Sequence, residues 1–209
     1  HIQLIAIGGV IGVALFMGSA GTVKMAGPSA SLAYVLGGIV MFFVMRALGE
    51  IAVEYPVSSS FAGYAKAFIG PRASFITGWT YWFMWVTIAM CEISAVGMFM
   101  KYWWPDITQW IVAIVTLCIM TGVNLIAVKL YGELEFWFAG IKVVAIVFML
   151  IVGSLMILFG IGNGGVPVGI SNLYSHGGFF PHGFTGTAMA LVMVTFGYAG
   201  VEMIGVTAG

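Results

Sequence analysis

Charge is what this chain lacks most. Its 209 residues include 7 Lys and Arg and 7 Asp and Glu, against 62% hydrophobic residues. A soluble domain carries roughly 25% charged residues to cover its surface, so a water-soluble globule is excluded. The net charge is zero, which leaves no basic face for nucleic acid. Only Cys91 and Cys118 are available for disulfide or metal chemistry. They lie in separate apolar runs and read as small apolar fillers. No phosphate-binding loop and no nucleophile–base pair is present, so no catalytic role and no cofactor is expected. The opening residues carry no charged n-region and no small-residue cleavage site. No signal peptide is expected, and the chain starts at His1 as though cut from something longer.

What is present is a series of uncharged runs near the roughly 20 residues of a bilayer crossing. Short alternating segments, the mark of an outer-membrane barrel, do not occur. The sequence predicts an all-α integral membrane protein with six spans at about 2–23, 29–53, 73–100, 107–128, 135–160 and 184–209. Lys24 with Gly27-Pro28, Glu54-Tyr55-Pro56, Gly70-Pro71-Arg72, Trp104-Pro105-Asp106, Lys129 to Glu135, and Gly160 to Gly183 separate them. Between spans two and three, SSSFAGYAKAFIG reads as a short helix along the membrane face, with Tyr64 and Phe68 on one side. A cytoplasmic N-terminus puts Lys66, Arg72 and Lys129 inside and Lys24 and Lys101 outside. Arg46 and Lys142 then lie toward the inside ends of their spans. Trp103, Trp104 and Trp110 mark the outer interface, and Trp137 the inner one.

The first span contains IGGVIGVALF, with Gly8, Gly9 and Gly12. Glycine costs roughly 1 kcal/mol against alanine in a helix interior. Small residues serve helix packing in membranes. They also let a helix unwind, freeing backbone amides that bind anions at a positive dipole end. The sixth span, VTFGYAGVEMIGVTAG, is interrupted in the same way at Gly197 and Gly200. Two interrupted spans in corresponding halves of a chain point to a binding site between inverted repeats. Residues 1–160 would then be one five-helix repeat, 161–183 an extracytoplasmic connection, and 184–209 the opening of the next repeat.

Three ionisable residues lie deep in spans, where each is expensive. Lys142 either snorkels to the inner interface or is a buried amine whose pKa desolvation lowers, so that it gains and loses a proton. Glu202 is either a gate or ion-pair partner on an inner cavity or a polar packing contact. Glu92 reads as a structural hydrogen-bonding group. His176 and His182 flank GGFFP; with no third ligand at a fitting spacing they read as solvated loop residues, and no metal is expected.

Several stretches resemble the amino acid permeases of the amino acid–polyamine–organocation superfamily, across essentially the whole chain. HIQLIAIGG is similar to the family's first span, MRALGE to the end of its second and GWTYWFMW to its third. VKLYGELEFWFAGIKVVAIV matches its fifth span with the connection before it, and FGYAGVEMIGVTAG its sixth. The GE-x-EFWFA-x-IK run is the most specific. GIGNGG…SNLYSHGGFF is similar to bacterial permeases of the proline, threonine/serine and histidine type.

The resemblance implies ten core helices in two inverted repeats, with the first and sixth broken, and further C-terminal helices beyond the six spans here. It implies a substrate carboxylate on the amides of Ile11, Gly12, Val13 and Ala14. The amine would lie on carbonyls near Thr195, Phe196 and Gly197, with Gly200 in the same lining and Phe196 also a gating aromatic. It implies that Lys142 takes the place of a sodium ion in proton coupling, and that Glu202 is the family's sixth-helix glutamate. Two features depart from the pattern. The first-helix motif GG-x-IG-T-G-LF has Val13 for its threonine and Ala14 for its glycine, and the family continues past the sixth span.

The expectation is a proton-coupled importer of a neutral or weakly polar amino acid in the bacterial inner membrane, working by alternating access. Its partners would be the substrate, protons and the bilayer. The alternatives are an exchanger of amino acids or amines without proton coupling, or a non-transporting membrane subunit.

Overall fold

A computed structural model describes residues 7–57, 60–126 and 128–203, with side chains except at 60, 126 and 128–135. Among the described residues all regular structure is helical. Residues 7–10 are helical, and after a break come α1 (Val13–Phe16) and α2 (Gly18–Ala26). A 3-10 turn, Gly27–Ser29, leads to α3 (Ala30–Glu54). Then follow α4 (Ser60–Phe68), α5 (Pro71–Trp103), α6 (Gln109–Ile126), α7 (Val128–Phe159) and α8 (Gly183–Gly197).

Among the described residues, three stretches are long and apolar enough to cross a membrane: Val13–Glu54, Pro71–Trp103 and Phe136–Phe159. Gln109–Leu125 and Gly183–Gly197 are shorter apolar helices. Large apolar side chains on them face outward: Phe42 and Phe43 on α3, Trp79 and Trp82 on α5, Phe148 and Leu150 on α7. In water these faces would be a liability, whereas hydrocarbon solvates them. Cys91 and Cys118 are also exposed and unbridged.

The turn signals act where the sequence has them. Gly27 has φ 62°, and a Cβ there would collide with Pro181. Gly70 has φ 132°, and Pro71 supplies the first residue of α5, where a missing N–H costs nothing. One boundary differs from expectation. The charged stretch at Lys129–Glu135 reads as a connection, yet helix α7 runs through it from Val128. Lys and Glu are good helix formers, so charge that ends an apolar run need not end a helix. The ends of the first and sixth spans, residues 2–6 and 204–209, lie outside the described residues.

The chain packs as two compact units. One comprises His1–Arg46 with Phe136–Val201, the other Ala47–Glu135 with Glu202–Gly209. The first unit's core is built from small residues, Ala26, Ala30, Ala33, Ala190 and Val194, against which Tyr34, Leu191 and Tyr198 pack. Small side chains let α2, α3 and α8 approach closely. A buried hydroxyl pair joins the 3-10 turn to α8: Ser29 Oγ lies 2.7 Å from Thr187 Oγ1 and is 2.8 Å from the Ala26 carbonyl. In the second unit α4 lies on α5. Tyr64 and Ala65 are buried, and the Phe61 and Tyr81 rings are 5.5 Å apart. Phe68, expected beside Tyr64, instead remains exposed and meets Tyr55 edge-on at 5.8 Å.

Candidate functional site at the two helix breaks

The first span is interrupted at residues 11–12. Ile11 closes the short helix with its amide on the Ile7 carbonyl at 3.2 Å, and its side chain is buried. Gly12 is extended, φ −135° and ψ −161°, and no side chain caps α1 behind it. The helix resumes with the amides of Leu15 and Phe16 on the Gly12 carbonyl. Val13 and Ala14 thus stand in the first turn of α1, where backbone amides point out of the helix end.

Breaking a helix also orphans carbonyls on its upstream side. In an unbroken helix the Gly8 carbonyl would accept from the amide of residue 12. Here it accepts from the Lys142 Nζ at 3.0 Å. Lys142 projects from α7 and is half-buried. An ammonium at a helix C-terminal end also meets the negative end of the dipole. The approach depends on glycine: a Cβ on Gly8 would collide with Ala139, which is 2% exposed and sits one turn before Lys142 on α7.

The sixth span leaves its helix at Gly197. Tight bonds follow, from the Tyr198 amide to the Thr195 carbonyl at 3.2 Å and from the Ala199 amide to the Phe196 carbonyl at 3.1 Å. Each carbonyl keeps a second lone pair. The Thr195 hydroxyl turns back to the Leu191 carbonyl at 2.8 Å and so serves its own helix. Phe196 is 38% exposed. Gly200 is buried at φ 102°, and a Cβ built on it would lie 3.1 Å from the Gly9 carbonyl oxygen and 3.7 Å from the Val10 amide nitrogen. The two interruptions are therefore in contact, at Gly9–Val10 and Gly200.

Of the residues singled out by sequence, Ile11, Gly12, Val13, Ala14 and Lys142 gather at the first break. Thr195, Phe196, Gly197 and Gly200 line the second. Glu202 belongs to the other unit. It is buried there and lines a cavity of about 390 Å³ with Phe61, Thr77, Thr80, Tyr81 and Met84. The Tyr81 hydroxyl reaches the Met203 sulfur at 3.8 Å. Glu92 is half-buried in α5, and His176 pairs with Ser175 at 2.8 Å. Sequence reasoning missed Ala139, Tyr81 and Tyr198. Each has a partner far away along the chain, Gly8, Met203 and Tyr34 respectively, and only at Gly8 and at Gly37-Gly38 did a small residue leave a local trace.

The amino acid permease family profile matches residues 1–209. The chain belongs to the amino acid permease family. That family is an all-helical class of membrane transporters, not of enzymes. Over all 209 of its residues it is 58% identical to an uncharacterized amino acid permease of Bacillus subtilis and 54% identical to a probable threonine/serine transporter of the same organism. It is 46% identical over 208 residues to an aromatic amino acid transport protein of Escherichia coli. The permease chain spans 45% of the length of each of these relatives. No solved structure matches it.

Proposed function

We propose that this chain carries the substrate and proton sites of a proton-coupled importer for neutral or weakly polar amino acids. The observation that carries the reading is the Lys142 Nζ on the Gly8 carbonyl, 3.0 Å away, at the end of a broken helix whose break touches the sixth-span break. A protonated amine donates to that carbonyl and neutralises the helix end. A deprotonated one loses the charge that holds it there, so proton gain and loss bias the geometry of the break.

The substrate carboxylate lies on the amides of Gly12, Val13 and Ala14; Ile11 borders the site without lending its amide, which the Ile7 carbonyl holds. The substrate ammonium lies on carbonyls near Thr195, Phe196 and Gly197, with Gly200 in the lining. Phe196, partly exposed at the break, closes over it. Glu202 serves as a gating residue. The first and sixth helices move against a scaffold to expose the site alternately. Residues 7–16 and 195–201, which form the two breaks, include no carboxylate or guanidinium to pair with a charged substrate side chain. The threonine/serine and aromatic relatives are named for neutral amino acids, which supports the same substrate class. The protein is read as multi-pass in the bacterial inner membrane, with a cytoplasmic N-terminus and its remaining helices beyond this chain.

The test is uptake of labelled neutral amino acids by the full-length protein in liposomes under an imposed pH gradient, with Lys142→Ala alongside. Gradient-driven uptake in the wild type that collapses at least tenfold in the variant is expected. Wild-type uptake indifferent to the gradient but stimulated by amino acid inside the vesicle would replace the symporter with an exchanger. Equal uptake by variant and wild type would reduce Lys142 to an anchoring residue.

A further inference from the structure

The sixth-span break has a fastening that the site residues above do not include. Tyr198, the first residue past α8, donates its phenol hydroxyl to the Tyr34 carbonyl of α3 at 2.9 Å. The ring reaches that carbonyl because α3 has no side chains where it passes. A Cβ on Gly37 would lie 3.1 Å from the Tyr198 ring and 2.9 Å from Val194, and a Cβ on Gly38 would lie 3.0 Å from the phenol oxygen. Gly37-Gly38 is thus a notch cut to the shape of this ring. The backbone of Tyr198 begins the turn, with the Val201 amide on its carbonyl at 3.3 Å. Two residues on, Gly200 meets the first-span break at Gly9.

We propose that Tyr198 is a positioning residue: seated on Gly37-Gly38 and bonded to Tyr34, it fixes the 198–201 turn and so holds Gly200 against Gly9. The order of these contacts makes the second span the frame to which the sixth-span break is referenced. α8 alone cannot do this, because its last amide bonds leave the direction of the chain beyond residue 197 to the turn. One net hydrogen bond shifts a local opening equilibrium by only about two- to tenfold. Its removal therefore loosens the turn without unfolding the helices.

Tyr198→Phe deletes the hydroxyl and keeps the ring. Hydrogen exchange of the full-length protein in detergent is expected to rise about two- to tenfold at amides 198–201, and not in α5. In the uptake assay, which rests on the function proposed above, KM is expected to rise by a similar factor while maximal rate stays within about twofold. Gly38→Ala should do the same by pushing the phenol off. With Phe at 198 the nearest ring atom to the new methyl lies 3.7 Å away, an ordinary contact. Gly38→Ala should then add almost nothing in the Tyr198→Phe background, a cycle that isolates the pair. Unchanged exchange at 198–201 in Tyr198→Phe, or effects of the two substitutions that add in full, would overturn the proposal. A wild type that takes up no amino acid would strike at the function alone, since the exchange measurement decides the positioning role by itself.

Discussion

At the first break the chain leaves the helix through an extended glycine, Gly12 at φ −135°. At the sixth it leaves through a turn whose Gly200 stands at φ 102°. The first conformation is open to any residue; the second favours glycine. The fastenings differ too. A charged side chain, Lys142, holds the upstream end of the first break, whereas a neutral phenol, Tyr198, holds the sixth. The two breaks are therefore fastened by different chemistry, the first by an amine on α7 and the sixth by a phenol seated on α3.

The difference is sharpest at the glycines. Gly200→Ala combines a strained φ with a methyl against the Gly9 carbonyl. Left-handed backbone costs an alanine roughly 1–2 kcal/mol before any clash. The expected result is the largest in the set: uptake reduced well over tenfold and a melting temperature lowered by about 5 °C or more. Gly12→Ala meets no such strain, and its melting temperature should stay near that of the wild type even if binding weakens. A large thermal loss in Gly12→Ala, or none in Gly200→Ala, would erase the contrast between the breaks.

Gly8→Ala comes next. Its methyl collides with Ala139, and overpacking of this kind costs about 1–3 kcal/mol. Moving α7 off residue 8 also draws Lys142 away from its carbonyl, so gradient-driven uptake should fall about tenfold. Ala139→Gly removes the nearer atom but leaves the residue-139 Cα 2.9 Å from the new methyl, so the double variant should recover only part of the uptake. Recovery would tie the loss to helix approach. No recovery at all would mean that residue 8 acts through something other than the Ala139 side chain.

How much of this the sequence reveals depends on the range of the interaction. The breaks themselves are local: glycine weakens a helix wherever it stands, and IGGVIG and FGYAG carry the signal in a few residues. The 3-10 turn at Gly27-Pro28 and the start of α5 at Pro71 are local in the same sense. The fastenings are not. Lys142 lies 134 positions from Gly8 and Tyr198 lies 164 from Tyr34. No periodicity or spacing joins residues so far apart. Sequence alone therefore left Lys142 between a snorkelling anchor and a buried amine, and gave no hint of Tyr198. Helix α7 begins ahead of its apolar run for another reason: apolar length sets where a membrane span can begin, at Phe136, whereas backbone hydrogen bonding sets where the helix begins, at Val128.

Gly9 gives the smallest expected effect and the finest test of what glycine does at the first break. Its carbonyl faces Gly200, but a Cβ built on it meets nothing within 4 Å. It still has helical backbone, one residue after the carbonyl that Lys142 holds. Alanine there should be tolerated and should gain up to about 0.5–1 kcal/mol from reduced chain entropy. The melting temperature of Gly9→Ala should hold or rise by a few degrees, and uptake should stay within about twofold. Were uptake to fall sharply while the melting temperature held, the space beside Gly9 would be where substrate approaches the backbone, and the binding surface would extend upstream from Ile11 to Gly9.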